Sequence, residues 1–259
     1  MSEAEQIRRG KLTVIPAIDI LRGRCVRLTQ GSYDTVTEYD EDPIAVAKRF
    51  TRAGARRIHI VDLDGADGRP EANRPVIERI RKESDALLEV GGGIREEKNV
   101  EGLLEIGVDR LILGTVLARE PEKVADWVRR YGRRFIGGID AREGSVRISG
   151  WRESTSITAL DLASLARGIE VNSIIYTNIS QDGMLAGPDI EGTSALARGA
   201  EVPVILSGGV SSLDDLRLIE REAHPLVVGA VAGKALYEGR IDPEELFREF
   251  PGAEGEVGW

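Results

Sequence analysis

Val14-Ile15-Pro16-Ala17-Ile18-Asp19 is an apolar run that closes on a carboxylate, with Arg22-Gly23-Arg24 just beyond. Half a chain later Phe135-Ile136-Gly137-Gly138-Ile139-Asp140 does the same, followed by Arg142-Glu143-Gly144. Runs of five or six apolar residues fit strands covered on both faces, as in parallel sheets. A charge at the end of such a strand is costly unless the strand opens into a polar mouth. Two such endings predict a duplicated half-barrel with one acid per half. The excursions repeat as well: Cys25-Val26-Arg27-Leu28 after the first acid, Val146 to Trp151 after the second.

Outward from these two stretches the chain alternates strand and helix. Strands are expected at 12–18, 57–62, 86–90, 110–113, up to Asp140, 173–177, 202–206 and 226–232. Helices fall between them. Asp42-Pro43 and Asp242-Pro243 are helix starts, an N-cap acid followed by proline at the first helical position. Gln30 to Thr35 reads as a polar, movable loop. Eight βα units predict an α/β fold, a single TIM-type (β/α)8 barrel with a two-fold half-barrel repeat. An open doubly wound sheet is the alternative. One domain is expected over 1–259, with a polar leader at 1–11 and a tail at 251–259.

The totals exclude several functions. One cysteine, Cys25, and two histidines, His59 and His224, leave no disulfide framework and no Cys- or His-rich metal centre. A net charge of −9 with no basic run argues against nucleic-acid binding. No apolar segment has the length of a membrane span, and the leader has no apolar core. A cytoplasmic protein with no metal is expected.

Glycine clusters between strand and helix expose backbone N–H groups beside a helix start, which suits an anion. Two such clusters repeat: Gly92, Gly93, Gly114 and Thr115 in the first half, Gly208, Gly209, Gly233 and Lys234 in the second. The bland alternative is that they only make tight turns. Asp19 and Asp140, on the first and fifth strands, would face each other across the mouth. An elongated ligand with a phosphate at each end and its reactive part between two carboxylates follows. Such carboxylates suit acid–base work if their environments keep a proton on one of them; ion-pairing to Arg22, Arg27 or Arg142 is the alternative use. His59, Thr177 and Asp182 are weaker candidates for contact with substrate. Arg27 and Arg95 could meet phosphate or carboxamide groups. Trp151 is either packing or a stacking lid, and Asp62 and Asp64 are expected in salt bridges.

Ile15-Pro16-Ala17-Ile18-Asp19, Val61-Asp62-Leu63-Asp64-Gly65-Ala66, Gly91-Gly92-Gly93-Ile94-Arg95, Asp182-Gly183, Ser207-Gly208-Gly209-Val210 and Val231-Ala232-Gly233-Lys234-Ala235-Leu236 occur in this order. Together they resemble the phosphoribosylformimino-5-aminoimidazole carboxamide ribotide (ProFAR) isomerases of histidine biosynthesis, from Leu12 to Phe247. The resemblance implies an Amadori rearrangement of an aminoaldose to an aminoketose, without a cofactor, on a small molecule with two phosphates. It implies Asp19 as the base at ribose C2 and Asp140 as the acid at the ring oxygen. It also implies that His59, Thr177 and Asp182 line the reacting centre, under a closing loop after the first strand.

Three other readings are weighed. The cyclase of the following step resembles Cys-Leu-Asp where this chain has Ala17-Ile18-Asp19, which argues against it. A dual isomerase also accepting phosphoribosylanthranilate is similar throughout, but usually carries additional arginine near Gly150-Trp151, where this chain has Ser149 and Arg152. A non-catalytic phosphate-binding barrel is the third. Asn178 stands where the family often has Asp. A monomer is expected, without nucleic-acid or membrane partners.

Overall fold

The computed structural model describes residues 11–29, 32–39, 42–185 and 187–252. Eight parallel strands form the barrel: β1 (Thr13–Leu21), β4 (Arg57–Asp62), β5 (Leu87–Gly91), β6 (Arg110–Leu113), β7 (Phe135–Arg142), β10 (Ser173–Asn178), β11 (Val204–Ser207) and β12 (Val227–Ala232). They pair in that cyclic order, with β12 beside β1 and β10 beside β7, so the sheet closes. β1 and β7 therefore stand on opposite walls. The remaining strands are antiparallel excursions above the mouth: β2 (Arg24–Thr29) and β3 (Ser32–Glu38) after β1, β8 (Ser145–Ile148) and β9 (Glu153–Thr158) after β7.

Two expectations change here. The acids do not close their strands: β1 runs past Asp19 to Leu21 and β7 past Asp140 to Arg142. Those last residues pair antiparallel with β2 and β8, Asp19 opposite Val26 and Asp140 opposite Arg147. The segment expected to be a loop is β3 from Ser32 onward, and a second strand, β9, completes the other excursion. Each excursion is a hairpin because both its strands can pair their backbone groups. The leader at 1–10, Gln30, Gly31 and the tail at 253–259 lie outside the described residues.

Helices cover the barrel: α1 (Pro43–Ala53), α2 (Leu63–Ala66), α3 (Arg74–Glu83), α4 (Glu97–Glu105), α5 (Thr115–Arg119), α6 (Pro121–Tyr131), α7 (Ala159–Gly168), α8 (Ile190–Ala200), α9 (Leu213–Glu222), α10 (Lys234–Tyr237) and α11 (Pro243–Glu249). The start signals act as expected: the Asp42 and Asp242 carboxylates accept from Ile44 N–H and Glu245 N–H, and Gly54 ends α1 in the left-handed region. One apolar core lies between sheet and helices, built on residues such as Phe50, Ile60, Leu88, Phe135 and Ile174. A smaller one fills the barrel, from Ile15, Ala17, Ile136, Ile175, Ile205, Val228 and Val231. The barrel is thus plugged below its mouth, and a ligand is confined to the C-terminal ends of the strands.

Candidate active site

A cavity of about 240 Å³ lies at that end, between the two acids. Asp19, Arg27, His59, Arg95, Asp140, Trp151, Thr177 and Asp182 all line it. So do Gly92, Gly93, Gly114 and Thr115 of the first glycine cluster. Gly208, Gly209, Gly233 and Lys234 line a smaller adjoining hollow, which shares Arg27, Ser207 and Val231 with the main one. The sequence candidates thus converge on one mouth with a glycine cradle on each side.

The cradles require glycine for a physical reason. Gly93 and Gly209 have φ of 76° and 86°, and a Cβ on either would lie 2.2 Å from Gly65 O and 2.1 Å from Gly187 O. Only hydrogen fits, which lets each glycine turn pack directly against the backbone of a neighbouring loop. Each cradle is touched by the excursion of the other half. Ser149 N–H, just past β8, donates to Thr115 Oγ1 at 2.9 Å. Arg27, on β2, lies so near Gly233 that a Cβ there would be 3.0 Å from its Nη1. Lys234 Nζ donates to Gly183 O at 3.0 Å.

The two acids are in different surroundings. Arg27 donates from Nη1 to Asp19 Oδ2 at 2.9 Å and from Nη2 to Asp182 Oδ1 at 2.8 Å. Asp19 is therefore charge-paired, the alternative raised for it above, while still lining the cavity. Asp140 instead accepts from Trp151 Nε1 at 2.7 Å and from the Thr177 side chain. Burial pushes the Asp140 carboxyl up, more than these two donors pull it down. Burial also raises Asp182, against the pull of Arg27. One acid faces a guanidinium, while the carboxyl of its opposite number is pushed above its ordinary range by burial.

Several candidates take roles the sequence left open. Trp151 is tied to Asp140 rather than packed in a core. Arg95 donates to Gly65 O and Ala66 O, at 3.3 and 2.8 Å, bracing α2 at the edge of the first cradle. Asp64 forms the expected salt bridge, with Arg69 at 2.7 Å. Asp62 does not: its Oδ1 accepts from Gly65 N–H and from Asn73 Nδ2, because it caps α2. Asn178 has a partner of the same kind, donating to Asp189 Oδ2 at 2.8 Å while Asp189 caps α8.

The sequence reading missed Glu89, Arg57 and Tyr237. Glu89 is a lone acid in the apolar run Leu87-Leu88-Glu89-Val90, a signal that was available. It is fully buried in the barrel, 2.8 Å from His59 Nδ1 and bonded to Arg57 Nε. Tyr237 stacks on Tyr39 and donates to Ala17 O at 3.1 Å, beneath Asp19. Only contacts across the barrel reveal it. Among the described residues no cluster of His, Cys, Asp and Glu could hold a metal ion, and no helix is long and apolar enough to cross a membrane.

A closed (β/α)8 barrel with an acidic pair between two glycine cradles at the C-terminal ends of its strands has the layout of a barrel enzyme. The chain matches the family model described as "Histidine biosynthesis protein" over residues 13–242, and it belongs to that family. It is 44% identical over 241 residues to a protein of Thermodesulfovibrio yellowstonii, covering 93% of this chain and 98% of that one. A protein of Desulfitobacterium hafniense is 46% identical over 239 residues, covering 92% and 96%. One of Methylococcus capsulatus is 44% identical over 232 residues, covering 89% and 96%. Each of the three carries the name 1-(5-phosphoribosyl)-5-((5-phosphoribosylamino)methylideneamino) imidazole-4-carboxamide isomerase.

Proposed function

We propose that this chain is an aldose–ketose isomerase that rearranges ProFAR to its ribulosyl isomer in histidine biosynthesis, in the cytoplasm and without a cofactor. The observation that carries the reading is the unlike pair, Asp19 on Arg27 and Asp140 on Trp151, facing each other between two glycine cradles. The names of the relatives contain two phosphoribosyl groups, which matches a mouth with two cradles. Binding both phosphates fixes the reacting sugar over the acids and converts a diffusive encounter into an oriented one.

In this mechanism Asp140 delivers its proton to the ribose ring oxygen as the C1–O bond breaks, and the amine lone pair forms the C1=N bond. Asp19 then takes the proton from C2, and the electron pair moves to form an enamine. Proton return to C1 and loss of the C2 hydroxyl proton give the ketose. Arg27 holds Asp19 and Asp182 in place, and Thr177 and Trp151 orient Asp140. The test is turnover of ProFAR followed by absorbance, with Asp19→Asn and Asp140→Asn beside wild type. A folded but inactive wild type overturns the reading. Phosphoribosylanthranilate in the same assay reports whether one substrate or two are accepted.

A further inference from the structure

The polar layer beneath the mouth belongs to one half only. Arg57, His59 and Glu89 point into the barrel from β4 and β5, where the pairing sets His59 beside Glu89. β10 and β11 repeat this place in the second half, and there Ile175 stands beside Ile205. The second half thus answers the His59–Glu89 pair with two isoleucines and Arg57 with the small, uncharged Ser173. The first half buries a carboxylate at 0% exposure and a guanidinium at 3%. Burying such a pair seldom adds stability over apolar packing of the same volume. An uncharged solution exists in the same molecule, so stability does not explain the charges.

His59 links that layer to the cavity it lines. Burial alone would raise the Glu89 carboxyl, but Arg57 and His59 outweigh it and hold it below its ordinary range. An ionised carboxylate only accepts hydrogen bonds. The His59 nitrogen 2.8 Å away therefore carries a proton, and for a neutral ring this leaves Nε2 with its lone pair. We infer that Glu89, held by Arg57, is a positioning residue that fixes His59 in the Nδ1–H tautomer, so that Nε2 accepts a hydrogen bond from a hydroxyl of the reacting sugar. The sugar is that of the isomerase reading above. In the other tautomer Nε2–H would be a donor, and the hydroxyl would lose its acceptor.

The ring tautomer is measurable without substrate, so this inference can fail independently of the isomerase reading. The chain has two histidines, and His224→Asn assigns both sets of ring nitrogens in a long-range proton–nitrogen spectrum. The expected wild-type result for the neutral His59 ring is Nδ1–H; Nε2–H overturns the inference, and needs no variant. Glu89→Gln, isosteric, is expected to change the tautomer and lower kcat by about 10- to 100-fold with KM within about threefold. In a His59→Asn background the same change is expected to cost kcat nothing further. An equal loss in both backgrounds, or Glu89→Gln with unchanged tautomer and kcat, assigns Glu89 to folding alone.

Discussion

Asp19 and Asp140 occupy the same place in their half-barrels, two residues before the end of β1 and two before the end of β7, each opposite an excursion strand. Around them the halves diverge. Counted along the paired strands, Arg27 falls where the second half has Ile148, and Arg147 where the first has Val26. His59 falls where the second half has Ile175, and Val61 where it has Thr177. The repeated backbone brings two carboxylates to one cavity. The unrepeated side chains make one of them an ion-pair partner and leave the other bonded to Trp151 and Thr177, its carboxyl raised by burial. A symmetric site would have two acids of the same strength, and a proton transfer needs a difference.

The largest effect expected from breaking this division of labour is on the acids themselves. Asp19→Asn and Asp140→Asn should each lower kcat by about 10³- to 10⁴-fold, the scale of a positioned acid or base. An amide can neither take the C2 proton nor deliver one to the ring oxygen. Comparable loss in Asp182→Asn would shift the acid role to that neighbour, since burial raises its carboxyl too.

Much of this was legible in the residues. Alternating apolar runs, proline-marked helix starts and paired Gly-Gly steps follow from local chemistry, and they placed the strands, the cradles and the two acids. Contacts that cross the barrel were not legible. Nothing in Cys25-Val26-Arg27-Leu28 says that its arginine reaches Asp182, far along the chain. The antiparallel extension of β1 beyond Asp19 depends on a partner strand, so an apolar run alone does not mark its end. Asn178 looked like a lost charge because its partner, Asp189, lies eleven residues on.

That partner supports a second test at the level of stability. Asp62 and Asn73 are bonded in the first half, Asn178 and Asp189 in the second, so the same acid–amide pair is present with its members exchanged. Asn178→Asp alone sets two carboxylates against each other and should cost about 1–3 kcal/mol. At this chain length that is a fall of roughly 2–12 °C in Tm. Adding Asp189→Asn recreates the first half's arrangement. Asn caps a helix as well as Asp does, so most of the loss should return. Two losses that simply add would show that the halves do not share this device.

A smaller effect separates the acids by pH. Folding raises the Asp140 carboxyl, so the native state binds a proton more tightly there than the unfolded chain. Stability from this group is complete below the unfolded value and is lost as pH rises through the folded one. Asp140→Asn has no such titration. Its Tm should gain on wild type as pH climbs through that window, by a few degrees at most. A constant difference between the two melting curves at all pH values would remove burial as the cause of a raised Asp140 carboxyl.

The finest change concerns the indole. Trp151 N–H bonds the Asp140 carboxylate and favours its ionised form, so it opposes burial. Trp151→Phe keeps a ring at the mouth and deletes that donor. The Asp140 carboxyl should then rise further, and the alkaline fall of kcat/KM, which reports the free enzyme's acid, should move to higher pH. The acidic limb, which reports the free enzyme's base, should stay in place. Movement of both limbs together would mean that the carboxylates titrate as one coupled pair. The two halves would then differ in side chains without dividing the proton between them.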